Sequence, residues 1–224
     1  MDGLSISGAQ PPPVGEDAED VTIIDCGIGN IKSVQRMFQA VDGSARIVSD
    51  PRDIATASRL VLPGVGAFDA GMRALTDGGW IEPLNRMAYD RKVPVLGICL
   101  GMQLLCRRSE EGEARGLGWI EADVQRIDTG GDPRLKIPHM GWTVTRAARP
   151  NPLIPDGEGE QRFYYVHKYR AVCDDRADVL ATADYGTSFT SAVNRDNIYG
   201  VQFHPEKSHR FGMALMRRFL ALPC

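Results

Sequence analysis

The sequence predicts an α/β fold with an open, mixed and mostly parallel sheet, helices on both faces and an antiparallel extension. Short, continuously apolar segments alternate with amphipathic ones in the first half of the 224-residue chain, which is typical of parallel strands buried between helices. Segments separated by Gly-, Pro- and Asp-rich turns follow in the second half, which indicates antiparallel strands. Hydrophobic residues make up 43% and charged residues 25% of the chain, as expected for a globular protein.

The first half of the chain predicts three strands and two helices. The apolar runs at residues 21–24, 60–62 and 93–98 are the predicted strands. Asn30 is a favourable N-cap residue, and the apolar residues that follow it recur on one helical face. A second helix is predicted from residue 100 to about residue 108, directly after the third strand.

The second half predicts further strands and one last helix. Ser208 is a predicted N-cap for a helix in which Phe211, Leu215 and Phe219 recur at every fourth position. The predicted strands of this half are residues 119–127, 142–146, 163–172 and 179–183.

Residues 1–20 differ in composition from the rest of the chain. They carry five acidic residues, no basic residue and three consecutive prolines, a composition typical of disordered segments. They have neither the basic start nor the apolar stretch of a signal peptide. The sequence therefore predicts a disordered tail at residues 1–20 and one domain at residues 21–224.

Composition and simple patterns argue against several functional classes. The net charge of −3 does not favour nucleic acid as a partner. The most apolar window, residues 93–106, is too short to cross a membrane. The five cysteines form no C-x-x-C pair, which favours free thiols in a reducing cytoplasm over disulfides or a structural metal site. Gly27 and Gly29 suggest a dinucleotide loop, but Lys32 replaces its third glycine, so no cofactor is expected.

Cys99 lies where a predicted strand turns into a predicted helix, between Gly97 and Gly101. The spacing matches the nucleophile elbow G-x-S-x-G with cysteine in place of serine. Glycines on both sides permit the sharp turn, and the helix N-terminus stabilises a thiolate and directs N–H groups at a developing oxyanion. The alternative is a buried cysteine that packs as a small apolar residue.

The segment Val201-Gln202-Phe203-His204-Pro205-Glu206 offers a base and a carboxylate. In an extended segment, His204 and Glu206 would point to the same side. Glu206 could then orient the imidazole while His204 exchanges protons with a thiol. The alternative is a surface histidine beside a solvated glutamate.

The segment Pro63-Gly64-Val65-Gly66 follows another predicted strand. Its flexible backbone could direct an N–H group at an oxyanion, although it could equally be a simple loop. Since the carboxyl ends of the strands of an open α/β sheet share one crevice, the three segments can converge there. Together they predict a cysteine-dependent acyl-transfer site.

These motifs resemble those of a known family. Gly-Ile-Cys-Leu-Gly-Met-Gln, the later His-Pro-Glu-Lys and the earlier Pro-Gly-Val-Gly are similar to the triad motifs of class I glutamine amidotransferases. Residues 136–142 (Lys-Ile-Pro-His-Met-Gly-Trp) and 163–167 (Phe-Tyr-Tyr-Val-His) resemble the branch formed by the glutaminase subunits of imidazole glycerol phosphate synthase, in histidine biosynthesis. The likeness runs in order from about residue 21 to the end and implies the fold of that family.

The resemblance implies a role for each matching residue. Cys99 would be the nucleophile, His204 the general acid and base, and Glu206 its orienting carboxylate. The oxyanion hole would include Gly64, Val65 and Leu100. The residues that would hold the substrate glutamine are Gly66, Gln103, Glu111, Lys168 and Tyr169. The residues that would face a partner subunit are Asn30, Met140, Trp142, Tyr164 and Lys207.

The resemblance further implies a reaction and a partner. L-glutamine would be hydrolysed to glutamate and ammonia, which a (β/α)8-barrel cyclase subunit would use within a heterodimer. Two residues depart from the family pattern: Thr143 replaces an asparagine, and Lys168 replaces a small hydroxyl residue. The alternatives are an amidotransferase feeding a different synthase, a catalytically silent regulatory homologue, and a partner-independent hydrolase of glutamyl peptides.

The remaining histidines and Cys106 are assigned to packing or to the surface. His139 and His167 are flanked by aromatic residues, which favours a place in the core. His209 is predicted on the exposed side of the last helix. Cys106 follows Cys99 by about two helical turns and is expected to pack rather than to bind a metal.

Overall fold

Twelve strands form one mixed sheet in the computed structural model, which describes residues 21–157 and 159–224. The predicted tail at residues 1–20 lies outside the described residues. The strands are β1 (Val21–Ile24), β2 (Ala45–Val48), β3 (Leu60–Gly64), β4 (Val95–Cys99), β5 (Arg108–Ser109), β6 (Ala122–Arg126), β7 (His139–Ala147), β8 (Gln161–His167), β9 (Tyr169–Cys173), β10 (Val179–Tyr185), β11 (Thr187–Arg195) and β12 (Ile198–Val201). The helices are α1 (Ile31–Gln39), α2 (Phe68–Asp77), α3 (Ile81–Asn85), α4 (Leu100–Leu104) and α5 (His209–Leu220).

The sheet has a parallel half and an antiparallel half. Strands β2, β1, β3, β4 and β12 lie side by side in that order and are parallel. Strands β11, β10, β7 and β8 continue the sheet with antiparallel pairing, and β9, β6 and β5 branch from β11. The predicted α/β class and its antiparallel extension are confirmed, and the extension is larger than the sequence pattern indicated.

Helices cover both faces of the sheet with two separate cores. On one face α1 and α5 pack together, and the rings of Phe38 and Phe219 lie 6.4 Å apart. On the other face α2, α3 and α4 bury residues such as Phe68, Leu84 and Met102. The parallel strands are therefore buried on both sides, which explains their continuously apolar sequences.

Three strand ends meet at the carboxyl edge of the parallel half. Gly64, at the end of β3, pairs with Cys99, at the end of β4. Ile98 pairs with Val201, at the end of β12. The three segments that sequence analysis selected for chemistry therefore leave the sheet at the same edge, as expected for an open α/β sheet.

The predicted helix at residues 100–108 is wrong in its length, because α4 ends at Leu104. The carbonyl of Leu104 accepts a hydrogen bond from Leu117 N, and that of Leu105 accepts from Trp119 N. Arg108 then pairs with β6 as part of β5. Competing partners from a distant loop therefore replace the next turn of the helix.

The predicted strand at residues 163–172 is two strands rather than one. The strand is interrupted at Lys168, so that β8 pairs with β7 while β9 pairs with β6 and β11. A local hydrogen bond stabilises this interruption, because the Nδ1 of His167 donates to the carbonyl of Tyr169 at 2.8 Å. It also brings residues 166–169 to the edge where Cys99 lies.

Both predicted N-caps stand at the right position without capping through their side chains. Asn30 and Ser208 precede α1 and α5, but neither side chain accepts a hydrogen bond from the helix. The Ser208 hydroxyl instead donates to the carbonyl of His204 at 2.6 Å. In α5 the side chains of Leu215 and Phe219 are buried as predicted.

Several elements were not predicted, and their sequences explain why. In β2, Arg46 interrupts the apolar pattern because its guanidinium reaches Thr22 on the neighbouring strand. In α2, Gly71 weakens the helical pattern, but a Cβ there would lie only 3.0 Å from Leu104. No helix within the described ranges is both long and apolar enough to cross a bilayer.

Candidate active site

Cys99 occupies a strained turn between β4 and α4. Its φ of 55° and ψ of −109° place it outside the regions that L-residues normally adopt. A Cβ on Gly101 would lie 1.8 Å from the carbonyl oxygen of Leu62, and one on Gly97 would lie 2.7 Å from the carbonyl oxygen of Gly101. The flanking glycines are therefore required by contact with backbone, and the geometry is that of a nucleophile elbow.

The sulfur of Cys99 has three polar neighbours. The carbonyl oxygen of Val166 and the Nε2 of Gln202 each lie 3.8 Å from Sγ. The third neighbour is the imidazole of His204, which lines the same cavity and interacts electrostatically with Cys99. The Cys99 side chain is almost fully buried, so these groups, rather than water, surround the sulfur.

His204 is held by both its backbone and its ring. Its N–H donates to the carbonyl of Tyr164 at 2.8 Å, and Ser208 Oγ donates to its carbonyl. Its Nδ1 lies 2.8 Å from Oε1 of Glu206. Residues 205–207 form a 3₁₀ turn rather than the extended segment assumed from the sequence, so the predicted pairing of His204 with Glu206 occurs for a different geometric reason.

The surroundings of His204 favour the charged imidazole. Burial alone would lower the pKa of this residue, but hydrogen bonds with Cys99 and Glu206 and the negative charge of both groups together raise it to about 9. The side chains of His204 and Glu206 are only 4% and 3% exposed, so water does little to screen these interactions. Such an arrangement places a charged proton donor beside the sulfur of Cys99.

The segment at residues 63–66 approaches the cysteine closely but directs one N–H group elsewhere. A Cβ on Gly64 would lie 2.7 Å from the backbone nitrogen of Gly101, so only glycine permits this packing. The N–H of Val65 donates to the carbonyl of Ile28 at 2.6 Å. Leu100 begins α4, where N–H groups have no partner within the helix. One of the two predicted oxyanion donors is thus occupied by another acceptor.

A cavity of about 460 Å³ opens beside Cys99, large enough for an amino acid. The predicted residues Gly66, Gln103, Glu111, Lys168 and Tyr169 all line it, together with Cys99, His204, Val65 and Leu100. Gly64 and Glu206 lie behind this lining. The remaining lining residues, which sequence analysis did not select as site residues, are Ala67, Pro138, Val166 and His167, while Lys207 was assigned only to the partner-facing surface.

The polar residues of the cavity are held by neighbouring backbone. Gln103 Nε2 donates to the carbonyl of Tyr169 at 3.2 Å and to Oε1 of Gln202 at 3.0 Å. Glu111 Oε2 accepts from the N–H of Phe68, at the start of α2, at 2.9 Å. The side chain of Lys168 is exposed, so its ammonium group is not forced into the cavity.

The residues predicted to face a partner form an exposed aromatic cluster. Met140 and Trp142 are 61% and 46% exposed. Trp142 packs against Tyr164 and stacks on His209, whose exposed position was predicted. The ammonium of Lys207 lies 5.9 Å from the ring centroid of Tyr164. Asn30, the fifth predicted residue, is exposed at the start of α1, and α1 contacts the turn at residues 205–207.

His139 and His167 are buried, as predicted, and also bond to each other. The Nδ1 of His139 lies 2.9 Å from the Nε2 of His167, and the Nε2 of His139 lies 2.8 Å from the Thr143 hydroxyl. Burial lowers the pKa of His139 to about 4 and that of His167 to about 3, so both rings are neutral at pH 7. Thr143, which departs from the family pattern, therefore satisfies a buried histidine.

Gln202 is the polar neighbour of Cys99 that sequence analysis missed. It stands two positions before His204 in a motif that was searched only for a base and a carboxylate. Its side chain is fully buried, and a buried amide requires partners. That requirement is the signal that could have identified it.

Among the described residues, neither the cysteines nor the possible metal ligands form a second functional site. The five cysteines are free, and Cys106 packs in the core as predicted. Within residues 21–157 and 159–224 no group of His, Cys, Asp or Glu side chains is arranged to hold a metal ion.

Comparison with known proteins identifies the family. The family model for glutamine amidotransferase class-I matches residues 22–222. Two solved structures share the fold with TM-scores of 0.69: a glutamine amidotransferase at 17% identity and PurLQS from Thermotoga maritima at 16%, each covering 90% of this chain and 97% of the other. The chain belongs to the class-I glutamine amidotransferase family.

Curated relatives indicate which branch of the family the chain resembles. The chain is 47% identical to imidazole glycerol phosphate synthase subunit HisH 2 of Methanococcus maripaludis, over 89% of this chain and 98% of the relative. It is 45% identical to HisH 2 of Pseudomonas aeruginosa, over 90% and 99%, and 41% identical to HisH of Leptospira interrogans, over 90% and 100%. The resemblance to the HisH branch of the family is thereby confirmed.

Proposed function

We propose that this chain is the glutaminase subunit of an imidazole glycerol phosphate synthase and that Cys99, His204 and Glu206 are its catalytic triad. The observation that carries the proposal is the convergence of these groups on one cavity: Cys99 and His204 line it, and Glu206 binds His204 from behind. Full-length similarity to HisH subunits supports the same function.

L-glutamine would bind in the cavity with its side-chain amide at Cys99. The carboxylate of Glu111, which lines the cavity, suits the ammonium group of the substrate because the two charges are opposite. Gln103 uses its Nε2 on neighbouring groups, which leaves Oε1 free to accept from the substrate. Gly66 and the backbone at Lys168 and Tyr169 would complete the pocket, so the unusual side chain at position 168 need not disturb binding.

The reaction would proceed through a thioester. The Cys99 thiolate attacks the amide carbon and forms a tetrahedral oxyanion; the carbon–nitrogen bond then breaks, and His204 gives its proton to the leaving amine. Ammonia departs, leaving a glutamyl thioester. His204, now neutral, removes a proton from water, whose oxygen attacks the thioester carbon. The carbon–sulfur bond then breaks, which releases glutamate and regenerates the Cys99 thiolate beside the charged imidazole. Glu206 keeps the imidazole oriented and stabilises its charged form.

The oxyanion hole would form from the N–H of Leu100 and one N–H of residues 64–66. The Val65 N–H is bonded to Ile28 in this structure, so completion of the hole would require the Gly64–Val65 peptide to turn towards Cys99. One oxyanion donor contributes about 10²- to 10³-fold to the rate. Low activity in the chain alone, followed by stimulation on assembly, is therefore expected.

The partner would be a (β/α)8-barrel cyclase that consumes the ammonia. The exposed cluster of Met140, Trp142, Tyr164 and Lys207, with Asn30 nearby, is the surface that we assign to it. Aromatic residues and methionine are enriched at the centres of protein interfaces. Ammonia in water is largely protonated and unreactive as a nucleophile, so direct transfer between subunits would preserve its reactivity.

Glutamate release tests the proposal directly. The chain alone, the chain with the barrel subunit, and the complex with the ligand of that subunit would be compared at saturating glutamine. We expect the complex with ligand to exceed the chain alone by at least 10²-fold. Full activity of the isolated chain would contradict gating by the partner, and activity only towards glutamyl peptides would contradict the proposed substrate.

A further inference from the structure

The carbonyl oxygen of Tyr169 determines the direction of the hydrogen bonds around Cys99. A carbonyl can only accept. Two side chains approach this one: Gln103 Nε2 at 3.2 Å and His167 Nδ1 at 2.8 Å. Both must therefore donate, which removes the usual ambiguity between the two ends of a glutamine amide and between the two tautomers of a histidine.

On the histidine side, the same reasoning fixes the direction of two further hydrogen bonds, the second of which ends at Thr143 on β7. His167 carries its proton on Nδ1, so its Nε2 accepts from the Nδ1 of His139. The Nε2 of His139 then accepts from the hydroxyl of Thr143. Since both rings are neutral and buried, each makes one donation and one acceptance, and the Tyr169 carbonyl is held firmly in place.

On the glutamine side, the same reasoning fixes the direction of the hydrogen bonds from Gln103 through Gln202 to the sulfur of Cys99. The same Nε2 of Gln103 that meets Tyr169 also meets Gln202 at 3.0 Å, so Gln202 must present Oε1 to it. The Nε2 of Gln202 is then the atom that lies 3.8 Å from Cys99 Sγ. Its N–H points at the sulfur because the opposite amide orientation would face two donors against each other.

We propose that Gln202 is a further catalytic residue, which donates a hydrogen bond from Nε2 to the sulfur of Cys99 and stabilises the thiolate. Gln202 has no exposed surface, so water does not compete for this donor. Its own backbone N–H is bonded to the carbonyl of Ser191 at 2.8 Å, which fixes the position of the residue. The inference rests on the proposed role of Cys99 as nucleophile.

The neighbours of the sulfur explain why this donor matters. The carbonyl of Val166, also 3.8 Å away, can accept from the thiol but repels the thiolate. Gln202 acts in the opposite sense, because a donor is bound more strongly by a charged sulfur than by a neutral one. Together with His204, it shifts the balance towards the reactive form and keeps the sulfur aligned when His204 gives away its proton.

The rate of alkylation of Cys99 by iodoacetamide measures this effect without glutamine or a partner. The thiolate attacks the iodoacetamide methylene carbon and iodide leaves, and peptide mass spectrometry distinguishes Cys99 from the other cysteines. Gln202→Met removes the donor while preserving length and neutrality. Gln161→Met is the matched control, because Gln161 is also a buried amide and donates to the carbonyl of Pro155, away from the cavity.

We expect Gln202→Met to move the alkylation–pH curve of Cys99 to higher pH by about one unit, and so to slow alkylation by up to about tenfold at pH values below the wild-type midpoint, as for the loss of one hydrogen bond to a charged group. Gln161→Met should leave both unchanged. Gln202→Glu is the second variant: it still accepts from Gln103 but, when ionised, offers no donor to sulfur, and it should also slow alkylation.

Two outcomes would overturn the inference. Alkylation of folded Gln202→Met and Gln202→Glu at the wild-type rate across the pH range would show that Gln202 only supports Gln103, an effect confined to the KM for glutamine. An equal loss in Gln161→Met would show a general effect of buried glutamines. Failure of the proposed function is distinguishable, because the wild-type complex would then release no glutamate, or would release it equally well after Cys99→Ala, whatever the alkylation rates are.

Discussion

Replacement of Glu206 by glutamine is expected to change the pH at which His204 loses its proton. The substitution preserves the size of the side chain and an oxygen for Nδ1, but removes the negative charge 2.8 Å from the ring. Oε2 of Glu206 is buried without a hydrogen-bond partner, so the introduced NH₂ group would find no acceptor there. The variant therefore loses charge stabilisation and gains an unsatisfied donor.

The size of this change in pH follows from the pKa of about 9 for His204. This value lies above the ordinary 6.5, which corresponds to about 3 kcal/mol in favour of the charged ring after its burial is included. Cys99 and Glu206 together supply this net preference and also offset the burial of the ring, so the loss of one partner should remove at least half of the net preference. The pH at which the ring deprotonates should then fall by at least one unit.

The assay is glutamate release between pH 6 and pH 10 by the chain in complex with the proposed barrel subunit. In the proposed mechanism His204 must be charged to protonate the leaving amine, so the alkaline decline of activity should begin at least one unit lower in Glu206→Gln. The matched control is Glu82→Gln, because Glu82 is exposed and forms a surface ion pair with Arg86. An alkaline decline at the same pH in wild type and Glu206→Gln would refute the assigned role of Glu206.

Two further predictions concern stability. Gly101→Ala places a Cβ 1.8 Å from the Leu62 carbonyl, so unfolding in urea should show a loss of at least about 1–3 kcal/mol; an unchanged midpoint would contradict the packing of the elbow. Burial lowers the pKa values of His139 and His167, so the unfolded chain binds more protons below pH 6.5 and stability should fall as the pH falls from 6.5 towards 4. Replacing both histidines by glutamine should flatten that dependence in urea titrations, and a dependence of the same size would contradict their neutral, buried state.

Sequence reasoning located the residues of the proposed triad because their local geometry leaves a recognisable sequence pattern. Gly97 and Gly101 flank Cys99 since backbone contacts exclude any larger residue. His204 and Glu206 are close in sequence, so their pairing needed no knowledge of the fold. The buried strands β1, β3 and β4 could also be predicted from the sequence, since apolar runs of this length indicate parallel strands.

Interactions between distant segments explain what the sequence could not predict. Helix α4 ends early because carbonyls at residues 104 and 105 bond to a loop twelve or more positions away. Gln202 meets Gln103 across 99 positions of the chain. The direction of the Val65 N–H depends on one hydrogen bond to Ile28. No periodicity or motif encodes such pairings, because they arise only when the sheet is assembled.

Removal of the Cys99 sulfur tests the central claim most directly. Glutamate release by the complex of this chain with the proposed barrel subunit and the ligand of that subunit would be measured for wild type and Cys99→Ala, with covalent labelling by a glutamine-analogue alkylator followed on the same samples. We predict labelling of Cys99 alone in wild type, and neither labelling nor glutamate release above background in the variant. Glutamate release by Cys99→Ala at the wild-type rate would contradict this account.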